Sequence, residues 1–355
     1  MAIIISGIQQ IGIGIPDVYE AWSWYNKNFG FDLPLFDEAA EAGLMLPYTD
    51  GKPQERHAIL ALNLKGGGGF EIWQYTSRKP QAANFEVQLG DLGIFITKIK
   101  TSNVQKAYET LQNNGVEMIS EIVKMPNQSA HFFVKDPYGN LFQIVKSDIW
   151  FKEKVKSVFG GNYGVVIGVS DIEKSKEFYS KILGYDTVVY EEEAVFDDLA
   201  NIPGGNHKVH RVLLKHSLAR EGAFSKLLGP STIELIKVID RKPKKIYENR
   251  LWGDLGFIHL CFDIIGMDDL KKECATLGHP FTVDSANSFD MGEAAGHFSY
   301  IEDPDGTLIE FVETHKIPIY KKIGWYLNLK KRDPKKPLPN WILNTLRFSR
   351  KKHKE

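Results

Sequence analysis

Two cysteines, Cys261 and Cys274, are all that the 355 residues contain. So few exclude a disulfide framework and point to a reducing compartment, with both thiols packed as small apolar residues. No apolar run is long enough to span a bilayer. The opening MAIIISG has no basic lead, so no secretion signal is expected and the expected location is the cytoplasm. Net charge is also nearly absent, at −1, but it is unevenly spread. From Lys316 onward 13 Lys or Arg face two acids, Asp333 and Glu355, a surplus of 11, which leaves residues 1–315 at −12. An acidic body with a basic tail bears on contacts, not on fold. With 43% hydrophobic and 25% charged residues, the composition is that of a globular protein large enough for two cored domains.

What the chain does contain is one pattern four times over. Ile8 to Asp17 alternates like a strand ending at Pro-Asp. Val18–Phe29 then has helical spacing, with Trp22, Tyr25 and Phe29 on one face and Gly30 as the stop. Strand-like runs follow at 31–36, 57–64 and 69–76. A second unit runs from Leu92 through a helix at 104–114 to the turn Asp136-Pro-Tyr-Gly and the strand after it. Tyr163 to Asp171 and the helix after it, stopped at Gly184, restart the pattern, with strands at 209–215 and 231–238. The fourth unit, 255–313, carries the turn Asp303-Pro-Asp-Gly. Four copies predict domains at 1–148 and 162–315, a linker at 149–161 and a tail at 316–355.

His259 and Glu310 sit among apolar residues on the first and last strands of the fourth unit. A buried imidazole or carboxylate without a partner costs roughly several kcal/mol, and a bound metal is one such partner. An alternating strand puts Glu310 on the face opposite Ile309 and Phe311. His57, His131, His210 and His297 also fall on or near strands and are read as structural.

Paired βαβββ units with a Phe-Tyr helix and an Asp-Pro-x-Gly turn resemble the vicinal oxygen chelate superfamily, which includes glyoxalase I, extradiol dioxygenases and antibiotic-resistance proteins. The resemblance covers about residues 5–314. It implies an α+β fold of four modules forming two glyoxalase/dioxygenase-like domains with cup-shaped sheets, whose metal ligands come from the first and last strands of contributing modules. Those positions hold Gln10 and Glu71 in the first unit, Gly93 and Gln143 in the second, Gly164 and Glu234 in the third, and His259 and Glu310 in the fourth. If neighbouring units pair, as in extradiol dioxygenases, the iron site lacks a histidine at Gly164. If the first unit faces the fourth, Gln10, Glu71, His259 and Glu310 reproduce the ligand order of one glyoxalase I subgroup. They would hold one divalent metal (Zn, Ni, Co, Mn or Fe), and the other cup would be stripped.

The resemblance therefore implies a metal-dependent isomerase or lyase. Its small substrate would chelate through vicinal oxygens, with Glu310 or Glu71 moving a proton on carbon to give an enediolate. Gly14 stands where glutathione-using glyoxalases have an arginine, and Ile72 to Tyr75 lacks their asparagine, so glutathione dependence is not expected. Fe(II) dioxygenase chemistry and metal-free ligand binding are the alternatives. Trp73 and Tyr75 share the side of Glu71 and either line its cavity or pack on the helix. The tail is read as a strap packing its aromatics on the acidic body and ending in a solvated basic run. Contact with an anionic membrane is the alternative. No nucleic-acid partner is expected and no oligomer is required.

Overall fold

The repeated sequence signals act locally first. Pro16 ends the opening strand, and Asp17 caps the helix after it, accepting from the N–H groups of Tyr19 and Glu20 at 2.9 and 3.0 Å. Gly30 closes that helix at φ 74°, a left-handed conformation that suits glycine. In the third unit Asp171 does the same, accepting from Lys174 N–H at 3.1 Å. The computed structural model describes residues 3–152, 157–286, 289–291, 294–320 and 325–351.

The first unit is β1 (Ile4–Gly14), α1 (Val18–Phe29), β2 (Leu33–Glu41), β3 (Glu55–Leu62) and β4 (Gly69–Tyr75). The second is β5 (Gly93–Thr101), α2 (Val104–Asn113), two short strands β6 (Glu117–Met118) and β7 (Val123–Lys124), then β8 (Ala130–Lys135) and β9 (Leu141–Lys146). The third is β10 (Phe159–Gly168), α3 (Ile172–Lys181), β11 (Thr187–Ala194), β12 (Val209–Lys215), a single turn α4 (Ser225–Leu228) and β13 (Thr232–Val238). The fourth is β14 (Gly256–Ile265), α5 (Met267–Thr276), β15 (Val283–Asp284), β16 (Phe289–Met291), β17 (Ala294–Glu302) and β18 (Leu308–Thr314). The α+β fold of four repeated units is the one expected.

The units pair across the chain. One sheet runs β15-β17-β18-β14-β1-β4-β3-β2, combining the fourth unit with the first; the other runs β11-β12-β13-β10-β5-β9-β8-β6, combining the third with the second. β1 and β14 meet antiparallel at the centre of the first sheet, with Gln10 opposite Cys261 and Gly12 opposite His259. The connection between consecutive units is made instead by helix and turn. Tyr25 of α1 donates to Asp136 in the second unit's turn at 2.6 Å, and Tyr179 of α3 donates to Asp303 in the fourth unit's turn at 2.9 Å.

The main core packs the helices onto the sheets through Tyr25, Phe29, Phe178 and Tyr179 against Ile11, Phe70, Ile72, Leu260, Phe262, Ile309 and Phe311. Alternation then places Glu71, His259 and Glu310 on the opposite, cup face.

Three boundaries differ from expectation. β10 starts at Phe159, inside the segment read as linker. Gly160 and Gly161 are strand residues at a close crossing of the two sheets, where a Cβ on Gly161 would lie 2.3 Å from the Gly68 carbonyl oxygen. β11 was not anticipated, because Glu191, Glu192 and Glu193 interrupt any apolar alternation. The tail forms a hairpin, β19 (Lys316–Tyr320) and β20 (Trp325–Asn328), then α6 (Asn340–Thr345) and a 3-10 turn, Leu346–Ser349. Among the described side chains it is anchored by aliphatics, with Leu338, Ile342 and Leu343 packed on Leu33, Leu62 and Leu227, while the Tyr320 and Trp325 side chains lie outside the described ones. Residues 352–355, the end of the expected solvated run, lie outside the described residues.

Candidate metal centre

β18, β14, β1 and β4 are neighbours in one sheet, so the expected ligands arrive on adjacent strands. Gly12 of β1 is in register with Glu71 on one side and His259 on the other, and Gln10 aligns with Cys261, which aligns with Glu310. The lack of a side chain at Gly12 is what admits the imidazole. A Cβ there would lie 2.4, 2.6 and 2.8 Å from Cε1, Nδ1 and Nε2 of His259.

His259 Nε2 lies 3.1 Å from Glu310 Oε2 and 3.3 Å from Glu71 Oε2, and Gln10 Nε2 donates to Glu310 Oε2 at 3.3 Å. One ligand atom from each of Glu71, His259 and Glu310 falls within 4.8 Å of the others. Two atoms bonded to one ion at about 2.0–2.2 Å, at right or tetrahedral angles, stand about 2.8–3.6 Å apart, so the observed edges suit a shared cation.

The polar inventory agrees. Neither ring nitrogen of His259 has a hydrogen-bond partner, because the carboxylates stand near Nε2 without lying along its N–H direction, and Gln10 Oε1 is also buried without one. A buried polar atom left unpaired asks for an explanation, and a cation shared by Nε2 and the two carboxylates would supply it for that nitrogen. Burial alone would lower the His259 pKa, but Glu310 and Glu71 outweigh it and raise it to about 9. Burial opposes ionisation of Glu71, yet the His259 imidazole holds its pKa below the usual carboxylate value. The metal-free cluster is thus two acids around one retained proton, and a metal would replace that proton.

His259 is fully buried, while the side chains of Glu71 and Glu310 keep 11% and 9% of their surface exposed, so only the acids reach solvent. Trp252 stacks over the imidazole with its ring plane 9° off and centroids 6.2 Å apart, and Tyr300 meets it edge-on at 5.5 Å. Trp73 and Tyr75 lie on this cup side rather than in the helix core, packed with Trp252, Ile258, Tyr300 and Leu308. The Tyr75 hydroxyl donates to the Trp252 carbonyl. Asp254 fastens the loop that carries Trp252, accepting from Arg78 Nη1 and Gln81 N–H at 2.7 Å and from Leu251 N–H at 2.8 Å. Beyond Trp252 opens a cleft of about 620 Å³ bordered by Tyr48, Lys245, Glu302 and Leu308.

Comparison with protein families matches residues 7–144 and 164–311 to the Glyoxalase/Bleomycin resistance protein/Dioxygenase superfamily. The chain belongs to that superfamily. Glyoxalase I from Zea mays is similar in fold at 14% identity, over 88% of this chain and 92% of that one, with a TM-score of 0.51. A putative dioxygenase from Bacillus subtilis gives 14% identity over 88% and 86%, with a TM-score of 0.56. Comparison with curated proteins gives no match.

The second cup of this superfamily member has no such cluster among its described residues. The sheet register corrects one assignment. Gly93 begins β5 as Gly256 begins β14, so the counterpart of His259 is Ile96, paired with Leu141 as His259 is with Leu308. Lys98 takes the place of Cys261, and Gln143 that of Glu310. Glu234, the counterpart of Glu71, binds the Lys98 ammonium, Arg211 Nε and the Tyr190 hydroxyl. Arg211 reaches on to Asp198 at 2.8 Å, His131 meets Asp198 at 3.1 Å, and Gln143 Nε2 lies 2.9 Å from His131 Nδ1. Organic cations occupy the position that corresponds to the Glu71–His259–Glu310 cluster of the first cup.

Of the other histidines, His57, His210 and His297 pair with Asp37, Glu191 and Asp284. Trp252 and Tyr300 were not singled out from sequence. Tyr300 could have been, since alternation along β17 sets it opposite Glu310. Trp252 lies in an irregular loop with no period to follow.

Proposed function

We propose that the first cup is the active site of a metal-dependent enzyme, a glyoxalase-like isomerase or lyase acting on a small substrate with two adjacent oxygens. The observation that carries this reading is the Glu71–His259–Glu310 cluster, with the Gln10 amide bonded to Glu310 and its oxygen buried without a partner. Gln10, Glu71, His259 and Glu310 would hold the ion. When bound, a divalent metal supplies Lewis acidity toward a substrate carbonyl.

The chain's own residues supply the rest. Glu310, with Glu71 opposite, is placed to take a proton from carbon and return it. Tyr300, whose phenol burial and the two acids keep protonated, can donate a hydrogen bond beside Glu310. Trp73, Trp252, Ile258 and Leu308 wall the cup with apolar surface and exclude water. Glutathione is disfavoured by more than the missing arginine. A Cβ at Gly14 would lie 2.1 Å from the Asp254 carbonyl oxygen, so the latched loop leaves no room for a side chain there.

Metal analysis after reconstitution should give one equivalent in the wild type and in Gln143→Leu of the other cup. It should give less than a tenth of an equivalent in His259→Ala. Proton–deuterium exchange on an α-hydroxyketone, followed by NMR, should require the metal and fall at least about 100-fold in Glu310→Gln, the scale of a general base. Full metal occupancy in His259→Ala would refute the site.

A further inference from the structure

Among its described side chains the strap holds itself down with aliphatics and leaves Trp341 and Phe348 exposed. In the helical stretch 340–349, Ile342 and Leu343 are buried against the body, whereas Trp341 is 58% exposed and Phe348 77% exposed. Seven residues, four steps in α6 and three in the 3-10 turn, make about two turns, so these two rings project from one side. Leu35, on the strand to which the end of the tail is tied, is a further exposed apolar residue at 38%. Single exposed apolar residues are ordinary; two large exposed aromatics on one side of a ten-residue stretch are not.

Cations surround these rings. Residues 329–351 contain eight Lys or Arg and one acid, Asp333. Three body carboxylates, Asp32, Asp37 and Glu221, pair with Arg350, Lys351 and Lys335, which still leaves an excess of four positive charges. Arg347 lies over the Phe348 ring, 4.9 Å from its centroid, so positive charge and apolar surface share one spot. The tail is also fixed in place, with Lys351 N–H bonded to Asp32 O at 2.8 Å and Leu338 N–H to Ala223 O at 2.8 Å.

We propose that this face docks on an anionic phospholipid surface, with Trp341 and Phe348 entering the headgroup layer and the Lys and Arg side chains meeting lipid phosphates. Exposed Trp and Phe flanked by Lys and Arg is the pattern of interfacial segments, and basic clusters are drawn to anionic leaflets over about one Debye length. Charge decides the orientation. Residues 1–315 carry −12, so the body is repelled by such a surface and only the strap can face it. A polyphosphate alone would satisfy the cations but not the aromatics, and a second copy joined strap to strap across a two-fold axis would bring its own basic strap against this one. No part of the metal centre lies on the strap, so docking leaves it free.

Vesicle co-sedimentation of the full-length protein tests this, comparing phosphatidylcholine with a 70:30 phosphatidylcholine–phosphatidylglycerol mixture at low and high salt. The wild type should bind the mixed vesicles and not pure phosphatidylcholine, and 0.5 M NaCl should weaken binding at least tenfold. Trp341→Ala/Phe348→Ala should weaken it at least tenfold with an unchanged melting temperature, since both rings are exposed. Lys330→Glu/Lys331→Glu should do so as well. Absence of binding to anionic vesicles overturns the proposal. So does binding that the aromatic pair does not affect, or duplex DNA binding more tightly than the vesicles with the aromatics dispensable.

Discussion

Glu234→Gln is expected to lower the stability of the protein by about 3–5 kcal/mol, the cost of breaking a buried ion pair by removing one partner. The substitution leaves Lys98 and Arg211 as buried cations without their carboxylate. Both are almost wholly buried, as is Glu234, and Arg211 already carries one buried nitrogen without a partner. Burial alone would raise the Glu234 pKa, but Arg211 and Lys98 hold it far below the ordinary carboxylate value of 4.5. A depressed folded-state pKa contributes stability that is complete above the unfolded value and lost only as pH falls through the folded one. The wild type should therefore keep its advantage over Glu234→Gln down to pH 4.5 and surrender it only in stronger acid. Urea titrations at pH 7 and 4.5 measure this, and an advantage already gone at pH 4.5 would contradict it. Replacing the group together, as Lys98→Met/Arg211→Met/Glu234→Leu with Asp198→Asn, because Asp198 also pairs with Arg211, should cost less than Glu234→Gln alone, since no charge is left stranded.

Gly12→Ala should separate the fold from the metal. The added methyl meets three atoms of the His259 ring below 3.0 Å, and β1 cannot retreat, because it is paired on both sides with β14 and β4. Overpacking of this kind costs about 1–3 kcal/mol, so the protein should still fold. The ring must tilt, however, and disturbing the support of a ligand lowers metal affinity by about 10–100-fold. Wild-type protein should melt at a higher temperature as metal is added, as any ligand of the native state requires. That gain should vanish in Gly12→Ala at the same metal concentration. An equal gain in both proteins would show that the imidazole is not a ligand.

Parity made much of this legible. Ile309 and Phe311 on one face forced Glu310 onto the other, and the same rule placed His259 and Glu71, whatever the tertiary arrangement. Pairing of the first unit with the fourth was favoured for a chemical reason: it sets Gln10 beside Glu71, His259 and Glu310, where the third unit would bring Glu234 but only Gly164 in place of Gln10. The second cup was harder. Thr97-Lys98-Ile99-Lys100 alternates as a half-solvated strand would, yet all four residues are buried. Alternation tells which face a residue occupies, not whether that face is wet. Trp252 and Asp254 escaped because irregular loops have no period, and the tail misled because its aromatics were assumed to be the anchoring residues.

The crossed sheets also set the order in which the molecule can be made. Gln10 and Glu310, hydrogen-bonded in the cup, are 300 residues apart in the chain, and β1 finds its central partner only once β14 has left the ribosome. Contacts of such long range are slow to form, and the first unit must meanwhile hold an unpaired strand edge exposed. The second and third units, consecutive in the chain, can close their sheet while synthesis continues. That cup, filled by its own lysine and arginine, needs nothing from outside to finish. The cup with the candidate metal ligands is the last to assemble, so ion capture would follow folding of the rest.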